Sequence, residues 1–157
     1  MPQPDRPIVG TDDGCLLNLT DDERELLRQL MGELESLLGE DDHPYLTRLF
    51  PVAYPDDDEA EAEYQRLMRD DLVTSRLTAI GTVTDLLGEP NDHVLTEEQV
   101  VALMQSLNAI RLVLGSILGI STDEDAERVD DGDTAGHHLY GYLSWLLEWT
   151  VQSLSSV

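Results

Sequence analysis

Four histidines and 33 carboxylates are the residues of this chain with the most chemistry to offer. Glu40 and His43 stand at the Glu-x-x-His spacing by which di-iron helical bundles present two ligands to one ion. That pair follows Gly39 and precedes Pro44, outside any helix, and no second copy completes a ligand set. His137 and His138 lie close to Asp133, but at a helix start or in a surface loop, and His93 stands alone. The acidic run Asp56 to Glu63 suggests magnesium and pyrophosphate chemistry. It lacks the paired Glu-x-x-Glu motifs of nucleotide pyrophosphatases: the Glu124 to Glu127 spacing falls in a predicted loop. A capped, solvated helix start accounts for the run. No Gly-rich phosphate loop, Gly-x-Ser-x-Gly elbow or Ser, His and Asp arrangement is present. These observations predict no catalytic residues, no metal site and no cofactor.

Other residues stand out by where they fall. Arg111 interrupts an apolar stripe between Leu107 and Leu114, where a guanidinium is costly unless paired. Asp71, also on an apolar face, is the first choice for its partner in a structural ion pair. Tyr142, Trp145 and Trp149 form an aromatic stripe beside the Leu139, Leu143 and Leu146 face of the last helix. Either that helix is central to the fold, or the aromatic side meets a partner or a second copy of the chain. Cys15 is the single cysteine, which excludes an internal disulfide and a cysteine-rich zinc site and points to a reducing compartment.

The elements that must position these residues are helices. Thr20 with Glu23 is a capping box, followed by Leu26, Leu27, Leu30, Met31, Leu34, Leu37 and Leu38 at helical spacing before Gly39. His43 to Pro55 predicts a short helical turn and extended chain with several apolar side chains to bury. Asp56 to Asp58 offer N-caps for a long helical region ending at Gly88 and Pro90. Its first stripe, Ala60, Tyr64, Leu67, Met68 and Asp71, is rotated from its second, Val73, Leu77, Ile80, Thr84 and Leu87, which predicts a kink or break near Asp70 to Leu72. Thr96 with Gln99 repeats the capping box ahead of a helix running to Gly119, and a last helix spans roughly Ala135 to Leu154. No useful period-two alternation appears, so no sheet is expected. The fold class is all-α: a single-domain bundle of four to six helices over residues 19–157, with a flexible N-terminal arm at 1–18 and an acidic loop at about 121–136.

The 157 residues carry a formal net charge of −24, from 33 acidic residues against nine arginines and no lysine. Such a field repels phosphate backbones, because nucleic-acid affinity comes from basic groups that release counterions. The start of the chain is Pro-rich without an apolar core segment, and no stretch approaches the roughly twenty apolar residues that span a bilayer. A cytoplasmic protein that binds neither nucleic acid nor membrane is expected.

Several segments already singled out, Arg48-Leu-Phe-Pro-Val-Ala-Tyr-Pro55 leading to Glu61-Ala-Glu-Tyr64, Leu107-Asn-Ala-Ile-Arg-Leu-Val-Leu-Gly115, and Tyr140 to Leu147, together resemble an actinobacterial family of unknown biochemical function. That family is typified by the regulator AosR, and its genes commonly sit beside that of the ClpS adaptor. The resemblance covers most of the chain from Leu16 onward and implies an actinobacterial origin and a non-enzymatic regulatory role with oxidation sensing. An internal thiol switch needs two cysteines within about 7 Å between Cα atoms. With Cys15 alone, a redox role would run through an intermolecular bond or a small-thiol adduct.

Three functions remain in view. The first is a regulatory or protein-interaction domain, associated with transcription, that meets a basic patch on a protein partner through its acidic surface and an apolar helix face. The second is a metal-dependent hydrolase using the acidic clusters. The third is a purely structural homodimer.

Overall fold

The computed structural model describes residues 6–39, 49, 52–119 and 134–155. Its first element corrects the expectation of a flexible arm without sheet. Strands β1 (Ile8–Thr11) and β2 (Gly14–Leu17) form an antiparallel hairpin in which Ile8 faces Leu17 and Thr11 faces Gly14. Asp12 and Asp13 make the two-residue loop, and Gly14 follows at φ 135°, a conformation that L side chains rarely adopt. A Cβ added there would sit 3.0 Å from Val94 Cγ1. Ile8, Cys15 and Leu17 are buried, Leu95 N donates to Cys15 O at 2.8 Å, and Asn18 N donates to Pro7 O at 2.7 Å. Strands of four residues are too short for alternation to register, and Pro7 and Gly10 disguise the first of them.

Helix α1 (Asp21–Leu38) starts as its capping box demands: Glu23 N donates to Thr20 Oγ1 and Thr20 N to Glu23 Oε1, both at 3.1 Å. Helix α2 (Asp58–Leu87) is capped by Asp57, whose Oδ1 accepts from Ala60 N at 3.0 Å. The helix is continuous, so the break expected near Asp70 to Leu72 is absent. The reason lies in its packing. Its buried residues are Ala79, Ile80, Val83, Leu86 and Leu87, all in the C-terminal third, while Leu67 is 61% exposed. The two stripes need not face one core, so the helix runs through without a break. Helix α3 (Glu97–Leu118) again has both capping-box bonds and stops at Gly119 in the left-handed conformation, φ 73°. Helix α4 (Thr134–Ser155) begins slightly before the expected end of the acidic loop, so positions 134–136 are helical. The rest of that loop, with Glu124, Glu127 and Asp133, lies outside the described residues, as do Glu40 and His43.

The chain is thus a predominantly helical single domain with four helices and one small hairpin among the described residues. Helix α3 lies at its centre, packed most extensively on α4, then on α2, and more lightly on α1. Leu103 and Leu107 of α3, Leu143 and Leu146 of α4, and Leu27 and Met31 of α1 are all 0% exposed. Each fully buried side chain of this size contributes about 1.5–3 kcal/mol. By length and composition α3 is apolar enough to cross a membrane, contrary to the expectation that no stretch is. A helix touched from several sides becomes apolar nearly all round, and half of its most apolar window is buried inside the bundle.

The buried cation of the described core is Arg24, not Arg111. It sits on the α1 stripe with Leu27, Met31, Leu34 and Leu38, and is 8% exposed. Its Nη1 donates to Leu87 O at 2.9 Å, and its Nη2 to Asn91 Oδ1 at 2.6 Å and, at 3.4 Å, to Leu17 O. Arg28 Nη2 donates to the same Leu87 carbonyl at 3.1 Å. Since α2 has no basic residue in its own last turn, α1 supplies the positive charge that its C-terminal carbonyls favour. Burial holds the Arg24 guanidinium below its ordinary pKa, with Arg28 pushing the same way and Asp21 opposing.

Candidate functional site

Helices α1 and α4 flank α3 and are pinned together at one point. Tyr142 Oη donates to Glu23 Oε2 at 2.7 Å, while the other oxygen of the same carboxylate closes the α1 capping box. One glutamate therefore starts α1 and fastens α4 to it. Burial, and then the Glu23 carboxylate, push the Tyr142 hydroxyl well above its usual pKa of 10.0. The folded state holds this proton more tightly than the unfolded chain does. Its stabilising contribution is complete below about pH 10 and is lost as pH rises beyond it. Urea unfolding at pH 9 and pH 11 should show stability falling with pH, and Tyr142→Phe should flatten that slope while costing about 1 kcal/mol at neutral pH.

Beyond this pin, toward the C-terminus of α1, the flanking helices leave the surface of α3 uncovered. The result is an open groove of about 340 Å³. Leu30, Leu34 and Leu37 form its α1 wall, Ile110, Val113, Leu114 and Ile117 its floor, and Leu139 its α4 edge. The charged group at its margin is Glu33, on the exposed side of α1. Ile117 is 50% exposed. The capping boxes and Leu periodicity that build α1 and α3 also set these apolar residues one turn apart along each wall. A surface of this kind offers burial of aliphatic groups and no array of donors for a polar substrate.

The aromatic stripe divides between core and edge. Tyr142 is half-buried at the pin, Trp145 is 40% exposed with its ring 6.0 Å from that of Tyr142, and Trp149 is half-buried beneath Arg6, whose Cζ lies 5.6 Å from its ring centroid. Leu143, Leu146 and Thr150 take the fully buried face.

The pair expected between Arg111 and Asp71 does not form. Asp71 is exposed on the lightly packed part of α2. Arg111, half-buried, donates from Nη2 to Asn108 Oδ1 at 3.2 Å and lies 5.9 Å from the Tyr140 ring centroid, with its Nε buried and unpartnered. Stacking on an aromatic face serves a guanidinium that pairs with no carboxylate among the described residues. Cys15 is 8% exposed in the hairpin and not on a mobile arm. Burial shields its thiol from oxidants and from a second thiol.

Among the described residues no group of three or more His, Cys, Asp or Glu is placed to hold a metal ion. Asp57 and Glu61, among the acids of the α2 start, have structural partners. Asp57 caps the helix, and Glu61 accepts from Ala53 N at 2.9 Å, Tyr54 N at 2.8 Å and Gln65 Nε2 at 2.7 Å. The bond from Gln65, followed by those from the backbone, lowers the Glu61 pKa. His93 meets Gln99 Oε1 at 3.0 Å beside the α3 cap. His138 is exposed and His137 half-buried in the first turns of α4.

Sequence reasoning expected an apolar helix face for a partner but did not place it between α1 and α3, whose stripes read as closed onto each other. The pattern did contain its residues; what it lacked was the separation of α1 from α4. Arg24 had a visible signal, since it continues the Leu27, Met31, Leu34 and Leu38 spacing by one step. No curated protein and no solved structure matches this chain. A family model matches residues 5–154, and the chain belongs to that family, Domain of unknown function (DUF2017).

Proposed function

We propose that this chain is a non-enzymatic, cytoplasmic regulatory domain that works by binding a protein partner with a basic patch. The observation that carries the reading is an open apolar groove on a molecule of net charge −24. Apolar burial supplies affinity, and the negative field speeds encounter with positive surfaces while repelling nucleic acid. The resemblance to the actinobacterial family typified by the regulator AosR supports a role beside the transcription machinery, reached through protein contacts and not through DNA. Affinity capture from the native host, washed at increasing salt, tests the reading. A basic protein should be retained at low salt and released as ionic strength rises past roughly 0.15 M, where exposed charges are screened beyond about 8 Å. Retention of no protein, or binding indifferent to salt, would refute it.

A further inference from the structure

The groove has a polarity that its apolar lining conceals. Leu37 and Ile117, which mark one end, lie in the last turns of α1 and α3, and neither helix has a basic residue in its last turn. Two helix C-termini, each equivalent to about half a negative charge, therefore open at the same end with no cation of their own last turns beside them, and Glu33 adds a full carboxylate alongside. From Leu30 to Leu37, and from Ile110 to Ile117, each wall runs about two helical turns, roughly 10 Å. A cavity of about 150 Å³ takes one benzene ring, so this groove has room for two or three large aliphatic side chains.

Resting on the function proposed above, we infer that the groove receives one amphipathic helix of the partner, presenting aliphatic residues at i, i+3 or i+4 and i+7, with arginine or lysine beside Glu33 and the two helix ends. Charge selects this occupant. A second copy of the chain would bring another net charge of −24 to a negative rim. The chain's own neighbouring stretches have the wrong sign too: Glu40, Asp41 and Asp42 follow α1, and positions 121–133 hold seven acids against Arg128. An aliphatic helix edged with cations satisfies both halves of the site.

Fluorescence anisotropy with two labelled synthetic peptides of identical basic composition tests this. One gathers its leucines on one helical face, and the other is scrambled so that they are dispersed. The protein should prefer the first by about tenfold or more. Ile117→Asp, at a half-exposed position, should weaken binding by about tenfold even though it makes the protein more acidic, and Glu33→Arg should weaken it by about threefold. Circular dichroism checks that both variants remain helical, and the Glu33 variant carries the test if Ile117→Asp does not fold.

Equal binding of the two peptides, or unchanged or tighter binding by Ile117→Asp, would show simple charge attraction and overturn the groove while leaving a salt-sensitive partner elsewhere on the surface. A dimer in light scattering that Ile117→Asp dissociates would assign the groove to a second copy. Binding that appears only after Tyr45, Leu46 and Phe50 are changed to serine would assign it to the chain itself. Either result overturns the inference.

Discussion

Arg24→Met should lower the stability of the domain by about 3 kcal/mol and its melting temperature by roughly 10 °C, readable by urea and thermal unfolding. Methionine keeps much of the side-chain volume, so the loss isolates the guanidinium. Its removal strips a donor from Leu87 O, Leu17 O and Asn91 Oδ1 at once. Asn91 is exposed and can turn to water, but the two carbonyls belong to buried leucines. A buried acceptor left unpaired costs about 1–3 kcal/mol, and the C-terminal dipole of α2 loses its nearest cation as well. Arg28 still reaches Leu87 O, which holds the effect short of the full sum. A loss below about 1 kcal/mol would show that Arg24 is held by the fold without tying α1, α2 and the hairpin together.

The contrast between Leu143 and Trp145 bears on the divided role of α4. Leu143→Ala should cost about 3–4 kcal/mol, because the side chain is fully buried where α4 packs on the central helix and its loss leaves a cavity. Trp145→Ala removes more atoms yet should cost less than about 1 kcal/mol, since the residue is 40% exposed at the edge of the helix. Equal losses at the two positions would mean that the aromatic edge is part of the core, whatever its accessibility.

What could be foreseen from the residues follows from how local each signal is. The capping boxes at Thr20 with Glu23 and Thr96 with Gln99, and the stops at Gly39, Gly88 and Gly119, are encoded within four residues or fewer, and the helix ends fall where those residues place them. The hairpin escaped because part of its stabilisation is distant: Leu95 N bonds to Cys15 O. No window of neighbouring residues contains that contact. Asp71 misled for a related reason. A position on an apolar stripe becomes interior only if that side of the helix meets the core, and here Leu72 and Val73 pack against it while Asp71 points to the exposed side. The groove depended on the distance between two helices, which periodicity does not encode. Arg111 was rightly marked as an unusual charge, but its contacts with Asn108 and Tyr140 needed only its own helix and the next, not a remote carboxylate.

The hairpin leans on the helix at the opposite end of the sequence: β1 packs on α4, and Arg6 covers Trp149. During synthesis on the ribosome, Ile8 and its neighbours emerge long before the surface that shelters them exists. Closing so long a loop is entropically costly, and docking of the strand on α4 has to await synthesis of that helix. Until α4 has left the exit tunnel, the nascent protein keeps this early apolar stretch open to chaperones.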